Sequence, residues 1–311
     1  MKSKFLIPVV VICLLLPALV LFITTSNKDE NLSNANTHTL LDQTHLKEDI
    51  KSSIGQLSFN IASPAEIATS IKNAGGSFYR GILLNTDVDK YITSKEKALA
   101  MGGIGADLIY INLFGKRSAA IVPLNQIRKL SNDLYLSQFF DFESLKELAT
   151  SSLTKREMDS LALMTNVRLN GIEDKMLKPG RVETGIFMII GAWAEGLFLL
   201  TRYAQKNDAQ EITDKVAEQQ VCLKELLKWL DKFQHIKEVD EILKEMEPLK
   251  KEILSVQIKY KKIGALKNTV DRDGNKITYR QEISIAVIDS KQLASITRES
   301  EKFRNKIFKL N

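Results

Sequence analysis

The chain has 311 residues, 44% of them hydrophobic and 26% charged, with 15 Gly, 6 Pro and a formal net charge of +6. That balance excludes a disordered chain and a polytopic membrane protein, and the sparse supply of turn formers disfavours an all-β fold and suits long helices. The charge falls to +4 once Lys2 and Lys4 are set aside, and Lys and Glu alternate through most of the chain instead of forming a basic, aromatic-rich face, so no nucleic-acid partner is indicated.

Lys2 and Lys4 precede an apolar run from Phe5 to Ile23, the order of an export signal. At 19 residues the run exceeds a signal core of roughly 7–15 and approaches the roughly 20 of a spanning helix, so residues 1–26 read as a signal peptide or a signal-anchor helix. Retention in the inner membrane through residues 5–23 is the preferred reading, and the positive-inside rule then puts everything after Thr24 in the periplasm. Cys13 follows Val10, Val11 and Ile12, without the small residue a lipidation signal requires. Residues 27–53 are polar, contain His38 and His45, and read as a flexible tether.

Residues 54–311 are expected to form one all-α domain, a multi-helix bundle with a long antiparallel helical hairpin and a small β-hairpin near the C-terminus. Ser63, Pro64 and Glu66 have the spacing of a helix start, and Gly75 and Gly76 that of a stop. An irregular stretch from Phe78 to Ile92 leads to a second capping box, Thr93 with Glu96, opening a helix that runs to about Phe114. Further helices are expected over Arg117–Tyr135 with a kink near Pro123, Phe142–Thr150, Lys155–Leu177 and Val182–Ala204. Two apolar seams follow, Ile212 to Phe233, broken by Gln219 at one seam position, and Ile236 to Tyr260, which predict the helical hairpin with a kink at Pro248. Alternation at Ile277, Tyr279, Ile283, Ile285 and Val287 around Asp273-Gly274-Asn275 predicts the β-hairpin, and Asp289 with Gln292 opens a terminal helix to about Phe308.

The common catalytic signatures are missing: the sequence has no nucleophile elbow, no phosphate loop and no zinc-protease helix. Asp271, Asp273, Asn275 and Glu282 imitate a calcium loop, but Lys276 stands where its turn needs Gly. Cys13 and Cys222 supply neither a disulfide framework nor a zinc set, and His235 lacks the Glu three residues earlier that a di-iron bundle needs. No cofactor or metal is expected. The run Thr184 to Thr201 could be mistaken for a second membrane span, but Glu195 at its centre favours a core helix.

An internal echo is the most informative pattern. Gly103, Ala106, Asp107, Ile109 and Tyr110 match Gly191, Ala194, Glu195, Leu197 and Phe198 at a constant offset of 88 residues. It suggests two related helices packed through Gly-rich faces. Asp107 and Glu195 are then buried acids at related positions, with Lys97, Arg168, Arg181 and Arg202 as candidate counter-charges. Two readings follow: satisfied core carboxylates that fix helix register, or a ligand or partner pocket formed by Asp107, Tyr110, Trp193 and Glu195.

Ser63-Pro64 with Glu66, Leu83-Leu84-Asn85, Tyr91 before Thr93, Gly105-Ala106-Asp107-Leu108 and the segment Gly191 to Leu197 resemble a family of helical cell-envelope proteins of Bacteroidetes. The resemblance implies an envelope setting and an all-α fold, and it carries no assigned activity. Members that have a lipidation cysteine differ from this chain at Cys13. The expected function is therefore that of a non-enzymatic envelope protein, attached to the membrane through its N-terminal segment and binding an envelope protein or a small ligand. The alternative is a ligand sensor or enzyme that uses a polar pocket around Asp107 and Glu195.

Overall fold

A computed structural model describes residues 64–139, 142, 181–207, 210–270 and 276–310. The N-terminal segment, the tether, the Ser63 cap, the helix expected over Phe142–Thr150 apart from Phe142 itself, the helix expected over Lys155–Leu177, Arg168 and the calcium-like loop at 271–275 lie outside the described residues. Seven α-helices account for most of what is described: α1 (Pro64–Asn73), α2 (Ser94–Leu113), α3 (Arg117–Asp133), α4 (Arg181–Lys206), α5 (Gln210–Asp231), α6 (Lys237–Leu254) and α7 (Ser290–Ile307). Between α6 and α7 run β1 (Gln257–Val270) and β2 (Lys276–Val287), paired antiparallel with Gln257 opposite Val287.

The helix starts follow local chemistry. Thr93 accepts from the Glu96 N–H at 3.2 Å while the Glu96 carboxylate accepts from Thr93 N–H, the reciprocal capping box. Asp289 accepts from Gln292 N–H at 2.7 Å to start α7, but the Gln292 side chain donates to Ser255 Oγ at 3.0 Å. Gly75, at φ +80°, follows the end of α1, where the left-handed conformation costs glycine least. Pro123 and Pro248 both lie inside helices, in α3 and α6.

α2 and α4 are the centre of the bundle. α2 is buried on every side from Ala98 to Asp107, and α4 from Thr184 to Thr201. α4 is long and apolar enough to cross a membrane by length and composition, yet its whole apolar window is buried against its neighbours. α1 packs on both central helices, α3 on α2, and α5 and α7 on α4.

The two central helices run in the same direction, since Leu99 meets Gly191, Asp107 meets Glu195 and Tyr110 meets Tyr203 in rising order along both. They meet at reciprocal points. A Cβ on Gly102 would fall onto the carbonyl of Met188, and a Cβ on Gly191 onto the carbonyl of Leu99. Gly102 lies three residues after Leu99, and Gly191 three after Met188, so the crossing has local two-fold character. The glycine that answers Gly191 is thus Gly102, one residue off the Gly103 of the sequence echo. Gly103 instead makes room for the Phe308 ring at the end of α7.

α5 and α6 pack as an antiparallel pair, with Leu223, Leu226 and Leu230 on one and Val239, Met246 and Ile253 on the other fully buried. Gln220 of α5 donates to the carbonyls of Leu254 at 2.9 Å and Val256 at 2.7 Å, closing the end of α6. The second helix therefore stops at Leu254 instead of continuing to Tyr260, because a buried side-chain amide takes its last carbonyls and the chain turns extended at Gln257. Gln219, the polar break in the first seam, is fully buried.

Candidate functional site

The irregular segment between α1 and α2 explains most of the buried polar chemistry. Residues 74–93 form only two short 3-10 turns, Arg80–Ile82 and Val88–Lys90, yet Ile82, Leu84, Val88 and Tyr91 are buried. A buried loop has backbone groups that no helix or sheet satisfies, so side chains must supply the partners. Tyr79 N–H donates to Tyr110 Oη at 2.9 Å, and Leu84 N–H to Asp107 Oδ2 at 2.6 Å. Arg304 donates to the Ile82 carbonyl at 3.3 Å and Gln126 to that of Thr86 at 2.7 Å. Tyr91 Oη donates to the Phe308 carbonyl at 2.9 Å, tying the end of α7 to the same segment.

Asp107 and Glu195 are both buried, as expected, with 1% and 0% of their surface exposed, and their carboxyls lie side by side. Their counter-charge is Arg304 of α7. Its Nε donates to Glu195 Oε2 at 2.7 Å and its Nη2 to Oε1 at 2.9 Å, a two-pronged bond that fixes both carboxylate oxygens. The guanidinium also lies over the Phe198 ring, 4.1 Å from its centroid. Two of the candidates named from sequence, Lys97 and Arg202, have other partners, while Arg168 and the side chain of Arg181 lie outside what is described. Lys97 pairs with Asp133 at 2.7 Å, and Arg202 approaches Glu301 at 3.8 Å.

Two carboxyl groups and one guanidinium leave the cluster one positive charge short. Asp107 Oδ2 is occupied by the Leu84 N–H, Oδ1 has no donor, and the Asp107 carboxyl lies within hydrogen-bonding reach of Glu195. A proton on Oδ1 donated to Glu195 resolves all three facts. Burial pushes the Asp107 carboxyl well above the usual carboxylate range, the charge of Glu195 adds to this, and Arg304 opposes it. Burial pushes Glu195 upward too, against the Arg304 charge beside it. Both directions favour a pair that keeps one shared proton, with Arg304 balancing the remaining charge.

The other two residues of the sequence-derived pocket have other partners. Trp193 is buried edge-on to Phe303 at 6.4 Å. Tyr110 belongs to a hydrogen-bond chain in which Tyr79 N–H donates to Tyr110 Oη, Tyr110 Oη to Tyr203 Oη at 2.6 Å, and Tyr203 Oη to the Ser77 carbonyl. Burial raises both phenols above the ordinary tyrosine value, so each stays a neutral donor. The four residues are thus all buried, the acids held by Arg304 and Leu84 and the two aromatic residues by other partners.

A hollow of about 240 Å³ opens instead at the outer end of the tyrosine chain, between the Ser77–Tyr79 loop and the last turn of α4. Ser77, Phe78, Tyr79, Arg202, Tyr203 and Lys206 form its walls. Lys206 Nζ sits 4.0 Å from the centroid of the Tyr79 ring, and Arg202 Nε is buried without an acceptor. Sequence reasoning did not find this site, although Arg202 and Lys206 stand one turn apart at the end of a helix, a visible basic pair.

Among the described residues, no group of three or more His, Cys, Asp or Glu is placed to hold a metal ion. No protein-family model, curated protein or solved structure matches the chain.

Proposed function

We propose that this is a non-enzymatic cell-envelope protein whose helical domain, held at the membrane by residues 5–23, binds a small ligand or a protein partner in the periplasm. The observation that carries the reading is the closed state of the Asp107–Glu195–Arg304 cluster. A general acid or base must reach a substrate proton within about 3 Å, directly or through one water. Of these carboxyls, Asp107 Oδ2 is taken by Leu84 N–H and both Glu195 oxygens are taken by Arg304, in a core with essentially no exposure. Their work is to satisfy the loop of residues 74–93 and to fasten α7 to the central helices.

The envelope setting rests on the charge-then-apolar N-terminus and on the resemblance to helical envelope proteins of Bacteroidetes. The packing of α4 within the bundle supports residues 5–23 as the membrane segment. In the ligand-sensor alternative the same acid pair is the responsive element, and the buried Asp107 Oδ1 without a donor is the observation in favour. The test is topology. A full chain with a C-terminal epitope should sediment with membranes and lose the epitope to protease in spheroplasts. An epitope protected until the inner membrane is lysed would overturn the proposal.

A further inference from the structure

We propose that the hollow between the Ser77–Tyr79 loop and the last turn of α4 binds a small aromatic carboxylate. This deepens the binding reading above by naming a site and a ligand class. Among the described residues the walls carry two cations, Arg202 and Lys206, and no acid. The two stand four residues apart on one helix face, where like charges repel, and the carbonyl end of α4 offsets only part of that repulsion. Among the described residues Lys206 has no acidic partner; its ammonium rests on the Tyr79 ring instead. Arg202 reaches Glu301 only at 3.8 Å, and its Nε is buried with nothing to donate to, a condition that native structures rarely leave unanswered. A carboxylate between the two cations would answer both.

The aromatic half of the ligand follows from the opposite wall. Phe78 is held at 5.4 Å against Tyr110 in a stack, and Tyr79 is half-exposed with its ring face toward the hollow's lysine. The hydrogen-bond chain through Tyr110 and Tyr203 fixes the backbone at Ser77 and Tyr79, so the loop is set before a ligand arrives. A flat ring can lie on the Tyr79 face when Lys206 swings to the carboxylate, exchanging one cation–aromatic contact for a stack and an ion pair. At about 240 Å³ the hollow is below the roughly 300–1,000 Å³ of drug-sized pockets, which limits the ligand to about one ring and its acid group.

The full chain reconstituted in lipid nanodiscs is titrated calorimetrically with benzoate, benzamide and acetate. Benzoate should bind saturably, with benzamide and acetate each at least about tenfold weaker, because one lacks the charge and the other the ring. Lys206→Gln, at an exposed position, should weaken benzoate about tenfold or more without altering the melt, and Arg202→Gln should do the same. Glu301→Gln should tighten it by freeing Arg202. No saturable benzoate binding at millimolar concentration, equal binding of benzamide, or benzoate binding unchanged in Lys206→Gln would each overturn the proposal. Benzoate recovered unchanged upholds the site together with the non-enzymatic reading; benzoate bound there and chemically converted upholds the site and overturns that reading.

Discussion

Arg304→Met removes the counter-charge of the buried acid pair while keeping most of the side chain's length. Two charge-assisted bonds to Glu195, at 2.7 and 2.9 Å, and one bond to the Ile82 carbonyl disappear together. Removing one partner of a buried pair costs about 3–5 kcal/mol, chiefly because the remaining charge is stranded. Uptake of a second proton by the Asp107–Glu195 pair limits the loss near neutral pH, and the orphaned Ile82 carbonyl adds about 1 kcal/mol or more. For a domain of this size about 2–4 °C of melting temperature corresponds to each kcal/mol, so a fall of about 6–20 °C is expected. Urea unfolding followed by circular dichroism gives the free energy directly. Glu195→Gln should be destabilising alone, yet Arg304→Met with Glu195→Gln should lose less than the sum of the two by about 1–3 kcal/mol, the signature of direct coupling. Strict additivity, or a loss below about 1 kcal/mol for Arg304→Met, would refute the reasoning.

Asp107→Asn mimics the protonated acid, accepting from Leu84 N–H and donating to Glu195. A carboxyl with a raised native value binds its proton more tightly folded than unfolded, so its contribution is complete below about pH 4 and is lost as pH climbs toward the native value. The wild type should therefore lose stability with rising pH across that window, and the Asn variant should show a flatter profile in denaturant unfolding from pH 4 to 9. Gly102→Ala and Gly191→Ala place a methyl on a partner-helix carbonyl and should each cost about 1–3 kcal/mol in thermal melts, although alanine in an exposed helix would gain up to about 1 kcal/mol. Leu226→Asp, at a fully buried seam position, should cost more than about 3 kcal/mol, while Lys224→Gln on the exposed face should stay within about 0.5 kcal/mol.

Much of the helical layout was legible because it is written in local chemistry. Thr93 with Glu96 marks the start of α2, and apolarity from Thr184 to Thr201, interrupted by Glu195, marks a helix enclosed on all sides. The burial of Asp107 and Glu195 was also legible, since an acid in the middle of an apolar helix must be enclosed with a partner; that they meet each other entered only through the pocket alternative. Arg304 was not. It lies 109 residues from Glu195 in a helix rich in Lys, Arg and Glu, and only three-dimensional packing selects it among them. One signal did exist: Arg304 follows Phe303 and stands seven residues after Thr297, on the stripe that buries Ile296, Ser300 and Ile307. The crossing glycine was off by one because Gly102, Gly103 and Gly105 are equivalent in the sequence, and the positions of Met188 and Phe308 decide which faces what. Tyr79 and Lys206 escaped notice, and Arg202 was assigned to the acids, for a different reason: a hollow has no periodicity, and its walls come from segments over a hundred residues apart.

The shared proton is the point at which the structural role of the acids can be tested most directly. Infrared difference spectroscopy at pH 7 between the wild type and Asp107→Asn reads the C=O stretch of a protonated carboxyl. One such band is expected in the wild type, absent from the variant and slow to shift in deuterated buffer because the group is sealed from solvent. A spectrum with no protonated carboxyl, or a band that exchanges at once, would mean that the acid pair is ionised or open to water, and would contradict its assignment to the fold.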